Sequence, residues 1–250
     1  MPCFGDFDVD LGSALREQLL AAFEKLELGP LGDDALSGRT DGQGVYFLFH
    51  ESELVYVGKA DSLRKRLTEH RAKIEGRRGI QISSMSFKCL FLSNNWSALA
   101  PETSLLSHYK KAKKSPKWNG KGFGPHDPGR NRETTNKPPQ GFDALYPIQD
   151  DWRCDLVDAR EWNCLDLLLE IKANLPYLLC FQTKTKSLEK GHPEYNDISV
   201  RVPRASMPAR ELLRLIVGRL PGWQATVFPG HMILYRETKA YKHGEVLKPL

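Results

Sequence analysis

Three scarcities narrow the field before any residue is singled out. No run of about 18 apolar residues, the least a membrane-spanning helix needs, occurs in the 250-residue chain. Cysteine is sparse. Cys3, Cys89, Cys154, Cys164 and Cys180 are odd in number, scattered and free of Cys-x-x-Cys pairs, so they suggest neither a zinc site nor a disulfide framework. Histidine and acid do not converge either: His192, His231 and His243 lack the spacing and acidic neighbours of a metal centre and read as structural or exposed residues. The start of the chain, with Asp6, Asp8 and Asp10, is unlike the basic opening of a signal peptide. The expectation is a globular protein of the cytoplasm with reduced thiols.

What is present is a core and a divided charge. A hydrophobic content of 40% is ample for one large domain or two small ones. The net charge of +5 conceals a sharper pattern: residues 1–58 hold 3 Lys/Arg against 11 Asp/Glu, whereas residues 59–137 hold 18 against 6. The basic half includes Arg64-Lys65-Arg66, Arg77-Arg78, Lys110-Lys111, Lys113-Lys114, Lys117, Lys121, Arg130 and Arg132. That density suits several phosphate contacts. Taken alone it equally suits a solvated lysine-rich helix face.

The tract that opens the basic half has a legible local structure. Val45-Tyr46-Phe47-Leu48-Phe49 and Leu54-Val55-Tyr56-Val57 are β-rich runs separated by polar residues from His50 to Glu53, the pattern of a hairpin. Side chains alternate between faces, so Tyr46 and Tyr56 share a face only if the connection holds an odd number of residues, such as the three from His50 to Ser52. A two-residue loop would separate them. Residues 61–74 then show helical spacing, with Leu63, Leu67 and Ile74 on one stripe, Asp61 or Ser62 placed to cap, and Arg66 and His70 four apart on the stripe's edge. Two phenols on a strand pair, backed by a cation and an imidazole on a helix, form a set able to grip a phosphodiester and activate water.

Gly44-Val45-Tyr46 and Tyr56-Val57-Gly58, followed by Lys59, Arg66 and His70, resemble the signature of the GIY-YIG nucleases, with Val in place of Ile in both tripeptides. Met85 to Leu92 alternates as a third strand, and a helix starts near Pro101, a favoured first-turn residue, and runs towards Lys114. A glutamate in a first turn ordinarily serves the helix dipole. The resemblance implies that Glu102 is instead the metal-binding glutamate of the superfamily, holding one Mg²⁺ per active site. Trp118-Asn119, followed by Gly122-Phe123-Gly124-x-His126-x-Pro128-Gly129-x-x-Arg132, is similar to a tract of one branch, a group of type II restriction endonucleases. That likeness implies a place for Asn119 in the active centre, supporting the metal or phosphate shell, and for Phe123, His126 and Arg132 near DNA. Arg64 and Lys65 join the expected DNA contacts, and Lys121, Arg130 or Arg132 are candidates to read guanine. Between Tyr109 and Trp118 the chain carries about five lysine-rich residues more than the resemblance leads one to expect.

In the expected mechanism Tyr46 is general base or proton relay, helped by His70 and by Lys59, cations that favour its phenolate. Tyr56 positions water or phosphate, Arg66 binds the scissile phosphate, and Glu102 holds the metal. The expected fold is α+β: a small mixed or antiparallel sheet with flanking helices in residues 1–150, including an N-terminal helix around Leu11 to Leu26, and an accessory α+β module in residues 151–250 for dimerisation or DNA recognition. For that module the pattern predicts two helices, Glu161 to Ala173 and Pro208 to Leu220, and about four strands, the last two a hairpin around Pro229-Gly230. The expected function is a Mg²⁺-dependent restriction endonuclease of bacterial origin. It acts as a homodimer on double-stranded DNA at a GC-rich palindrome, alongside a cognate methyltransferase. A structure-selective repair, recombination or mobile-element nuclease and a catalytically dead DNA-binding protein are the alternatives.

Overall fold

The computed structural model describes residues 10–32, 37, 40–93, 101–124, 141–184 and 191–250. The architecture is α+β, with seven α-helices among the described residues and sheets that are antiparallel apart from one strand pair. The chain divides into two compact units that interleave along the sequence, residues 1–71 with 81–119 and residues 72–80 with 120–250.

The first unit is built on a four-stranded sheet. Its elements are α1 (Leu11–Glu24), β1 (Gly29–Pro30), β2 (Gly44–His50), β3 (Glu53–Ala60), the start of α2 (Leu63–Glu75), β4 (Met85–Phe91) and α3 (Pro101–Lys111). The strand order is β1-β4-β2-β3, which leaves β3 at one edge. Val45, Phe47 and Val57 point to one face of the sheet, where Leu15, Leu19 and Phe23 of α1 and Leu105 of α3 bury them. The Phe23 and Phe47 rings stack at 3.8 Å. Alternation sends Tyr46 to the opposite face, which α2 covers with Leu63 and Leu67.

The hairpin differs from the expected three-residue connection. Its loop is only Glu51-Ser52, both at positive φ (49° and 66°), as in a two-residue type I′ turn. By parity alone that loop would put the tyrosines on opposite faces. The register shifts, however, from Phe49↔Leu54 to Leu48↔Tyr56, leaving Val55 as an extra residue on β3. This β-bulge restores the odd count, and Tyr46, paired with Gly58, lies diagonally across from Tyr56 on one face.

At the start of α2, the Ser62 hydroxyl accepts the Lys65 N–H at 3.2 Å, and the Asp41 carboxylate accepts the Arg64 N–H at 3.0 Å. The helix is therefore capped as expected at Ser62, with Asp41 as a second, unforeseen cap.

The second unit holds the end of α2, α4 (Phe142–Leu145), β5 (Glu161–Asn163), α5 (Cys164–Asn174), β6 (Leu178–Phe181), α6 (Pro193–Asn196), β7 (Ser199–Arg201), α7 (Ala209–Arg219), β8 (Gln224–Phe228), β9 (His231–Tyr235) and β10 (Glu245–Val246). The hairpin around Pro229-Gly230 forms as expected, within a sheet of order β10-β8-β9-β6 in which β6 and β9 are parallel. Helices α5 and α7 bury Leu167, Leu168, Ile171, Leu212, Leu213 and Ile216 in its core. Residues 151–250 hold more elements than the sequence pattern predicts: three helices and six strands among the described residues. The expected helix from Glu161 is one cause. Its first three residues pair with β7, and the Asn163 side chain caps α5 by accepting the Leu165 N–H at 2.9 Å, so the helix begins at Cys164.

Candidate active site

The bulge, the edge strand and the capped helix converge on Tyr46. Its phenol oxygen lies 2.7 Å from Nε2 of His70, and both residues are buried. The Tyr56 ring sits 6.1 Å from that of Tyr46 and 5.4 Å from the His70 imidazole. The glycines of the two tripeptides are explained by close approach. A Cβ on Gly58 would fall against the Tyr46 hydroxyl, and one on Gly44 would collide with the Leu90 carbonyl and the Leu63 side chain.

Electrostatics correct one expectation. Burial pushes the Tyr46 phenol well above its ordinary value, with Tyr56 adding to the rise, the Arg66 guanidinium opposing it and the Glu102 carboxylate reinforcing it. Desolvation outweighs the neighbouring cations, so the phenol is held in its protonated form rather than as the expected phenolate. Glu102, in the first turn of α3, is likewise raised by burial, with Lys59 and then Arg66 pulling the other way. These shared influences put Tyr46, Lys59, Arg66 and Glu102 in one electrostatic neighbourhood. Lys59 is exposed at the end of β3, whereas Arg66 is a quarter exposed and forms an ion pair with Glu69 at 2.6 Å.

Asn119, expected in the metal or phosphate shell, bonds the backbone of β3 in this structure. Its side-chain oxygen accepts the Val57 N–H at 2.9 Å and its amide nitrogen donates to the Val57 carbonyl at 2.8 Å. One residue earlier, the Trp118 N–H donates to the Val55 carbonyl at 2.9 Å. Trp118-Asn119 thus close the open edge of β3 along the tract that contains Tyr56 and Gly58, satisfying backbone groups that a bare edge strand leaves unpaired.

Arg64 and Lys65 are exposed on α2, and Lys121 is exposed in the second unit. Phe123, expected near DNA, is instead 1% exposed, edge-on to Phe142 at 4.8 Å. The Lys73 ammonium lies 5.0 Å from the Phe123 ring centre and donates to the Gly122 and Phe123 carbonyls at 3.0 and 2.7 Å. His126, Arg130 and Arg132 lie outside the described residues. Sequence reasoning missed three contributors: Asp41, Glu69 and Lys73. Glu69 carried a visible signal, three residues after Arg66 on one helix. Lys73 carried none, because its carbonyl partners are about fifty residues away.

The donor set suits a hard divalent cation. Among the described residues no group of three or more His, Cys, Asp or Glu could hold an ion, as a protein-caged zinc requires. A lone half-buried carboxylate fits Mg²⁺, which keeps most of its waters and takes one or two carboxylates together with phosphate oxygens. A cation there would also offset the cost of burying the Glu102 charge.

An antiparallel sheet presenting two tyrosines to a helix with arginine and histidine, beside a helix opening on a glutamate, defines the class as a GIY-YIG fold. Residues 49–150 match the family model described as the Eco29kI GIY-YIG domain, a GIY-YIG family of restriction endonucleases. That likeness suggests a nuclease domain of the restriction-endonuclease kind in this stretch, which implies DNA as substrate, and GIY-YIG nucleases generally use a divalent metal. No curated protein matches the chain. Among the described residues no helix is long and apolar enough to cross a membrane.

Proposed function

We propose that the protein is a Mg²⁺-dependent type II restriction endonuclease that hydrolyses double-stranded DNA at a specific, GC-rich palindromic site. The observation that carries this reading is the short Tyr46–His70 hydrogen bond within the field of Arg66 and Glu102. In the tautomer with Nε2 unprotonated, the neutral phenol donates to the imidazole and its oxygen can accept from water. As water attacks phosphorus, its proton passes to the Tyr46 oxygen while the phenol proton passes to Nε2 of His70. Tyr46 is then a relay and His70 the terminal base, which removes the need for a buried phenolate. Arg66 leaves Glu69 to bind the scissile phosphate and offsets charge that develops in the transition state. Tyr56 orients the attacking water or the phosphate, Lys59 adds positive charge at the mouth of the site, and Asn119 holds the backbone between Tyr56 and Gly58. Glu102 would hold one Mg²⁺, which when bound stabilises negative charge on the leaving oxygen.

One such site cuts one strand, so a palindrome is served by a homodimer whose two-fold axis matches that of the DNA. Residues 151–250 are the accessory module for dimerisation or recognition, and a cognate methyltransferase protects the host. The test is plasmid digestion with Mg²⁺ by the wild type and by Glu102→Ala, with the fragment ends sequenced. Discrete fragments sharing one palindromic end, from the wild type alone, are expected. Equal cutting by both proteins, or by neither, refutes the assignment of Glu102.

A further inference from the structure

We infer that the lysines closing α3, Lys110, Lys111, Lys113 and Lys114, form a second phosphate-binding surface that grips the backbone of duplex DNA on one side of the cut. The inference rests on the nuclease reading above and adds to it a surface for which the active-site chemistry has no use.

All four side chains are exposed, and among the described residues none makes an ion pair. Their neighbour Lys117 differs, being paired with Glu53 at 2.6 Å. A helix C-terminus attracts cations through its dipole, which accounts for Lys110 and Lys111 in the last turn. It does not account for the next two. The helix ends in a Schellman arrangement: the Lys114 N–H donates to the Tyr109 carbonyl at 2.9 Å and the Lys113 N–H to the Lys110 carbonyl at 3.1 Å. Lys113 occupies the left-handed position of this motif, with φ 55°. Glycine adopts that conformation without a Cβ penalty, whereas a lysine there is strained. The chain thus places a charge where the backbone favours glycine, within the tract by which it exceeds the length expected before Trp118.

The position relative to the active site is set by one straight element. Glu102 and Lys111 stand nine residues apart on α3, about 14 Å at 1.5 Å per residue. Lys110, eight residues on from Glu102, comes round to within about 80° of it, towards the same side of the helix. On B-form DNA 14 Å is about four base pairs along the axis. With the scissile phosphate at Glu102, the lysines meet phosphates roughly that far away. They position the duplex without reading sequence.

The test compares wild type, the quadruple variant Lys110→Gln/Lys111→Gln/Lys113→Gly/Lys114→Gln, the single variant Lys113→Gly and the control Lys117→Gln. Binding of a labelled mixed-sequence duplex is measured in EDTA over a range of NaCl, and Mg²⁺-dependent plasmid cleavage in parallel. Each neutralised phosphate contributes about 0.9 to the slope of log K against log salt, so the quadruple variant should lose about two to four from that slope and bind at least about tenfold more weakly. Lys113→Gly should keep or raise the melting temperature and still weaken binding, which separates charge from fold. Lys117→Gln should bind as wild type does. An unchanged slope in the quadruple variant, with a wild type that binds and cuts, overturns the surface and leaves the nuclease reading intact. A wild type that neither binds duplex nor cuts overturns both.

Discussion

Replacing Gly58 by alanine isolates the geometry on which the proposed proton relay depends. Gly58 lies outside the positive-φ region, so alanine carries no backbone penalty there and even gains about 0.4–1 kcal/mol by restricting the unfolded chain. The cost is purely steric. The new methyl would meet the Tyr46 hydroxyl, lie 2.5 Å from Tyr46 Cζ and 2.8 Å from Tyr56 Cε1, against an optimum of about 3.5–4.0 Å for carbon contacts. The Tyr46 ring must therefore move by about 1 Å. Overpacking of this kind costs about 1–3 kcal/mol, which leaves a net loss of up to roughly 2.6 kcal/mol, or a fall of up to about 10 °C in melting temperature. The same displacement breaks the 2.7 Å contact with His70, and a misplacement of about 1 Å lowers the catalytic rate about a hundredfold. Initial rates of Mg²⁺-dependent cleavage and thermal unfolding provide the two readouts. Gly120→Ala is the counter-case: nothing lies within 4 Å of its would-be Cβ, and its cost comes only from φ 71°. A Gly58→Ala protein that cuts and melts like the wild type would refute the role assigned to the Tyr46–His70 pair.

Two further outcomes follow from buried groups in the second unit. The Arg77 side chain is 1% exposed, bonded to Asp143 at 2.9 Å and to the Tyr146 and Pro229 carbonyls at 3.2 Å each; burial draws its guanidinium down to about 10, with Tyr177 opposing the fall. Asp143→Ala leaves that cation uncompensated and should cost about 3–5 kcal/mol in urea unfolding, and a loss under 1 kcal/mol would show the pair to be dispensable. Burial pushes the Cys154 and Cys164 thiols up to about 12 and raises the phenols of Tyr177 and Tyr195. Such groups hold their proton more tightly folded than unfolded, so their contribution is complete below the unfolded thiol value near 9. It is lost as pH rises towards 12, by up to about 1.4 kcal/mol per pH unit per thiol. Unfolding free energy measured from pH 8 to 11 should fall accordingly, and both thiols should resist a thiol reagent until the protein unfolds; a flat profile or immediate labelling would contradict their burial.

Much of the candidate site was legible in the chain because its signals are local. β-Branched and aromatic runs mark β2 and β3, the stripe Leu63, Leu67 and Ile74 marks α2, and the four-residue spacing sets Arg66 and His70 on one helix edge. The tripeptide glycines were visible as a pattern, though not their cause, which is the ring and helix packed against them. Tertiary structure decided what depends on partners distant in sequence. The Val55 bulge overrode the loop parity that would have split the tyrosines, since register answers to pairing along the whole ladder. Desolvation, not neighbouring charge, set the protonation of Tyr46, because burial is a property of the assembled fold. Asn119 turned to the β3 backbone because an edge strand must satisfy its outward N–H and C=O groups. Phe123 turned inward because Phe142 and Lys73 meet it there. Residue type and spacing named the reacting groups; the face, the charge and the partner of each were settled by contacts that only the folded chain brings together.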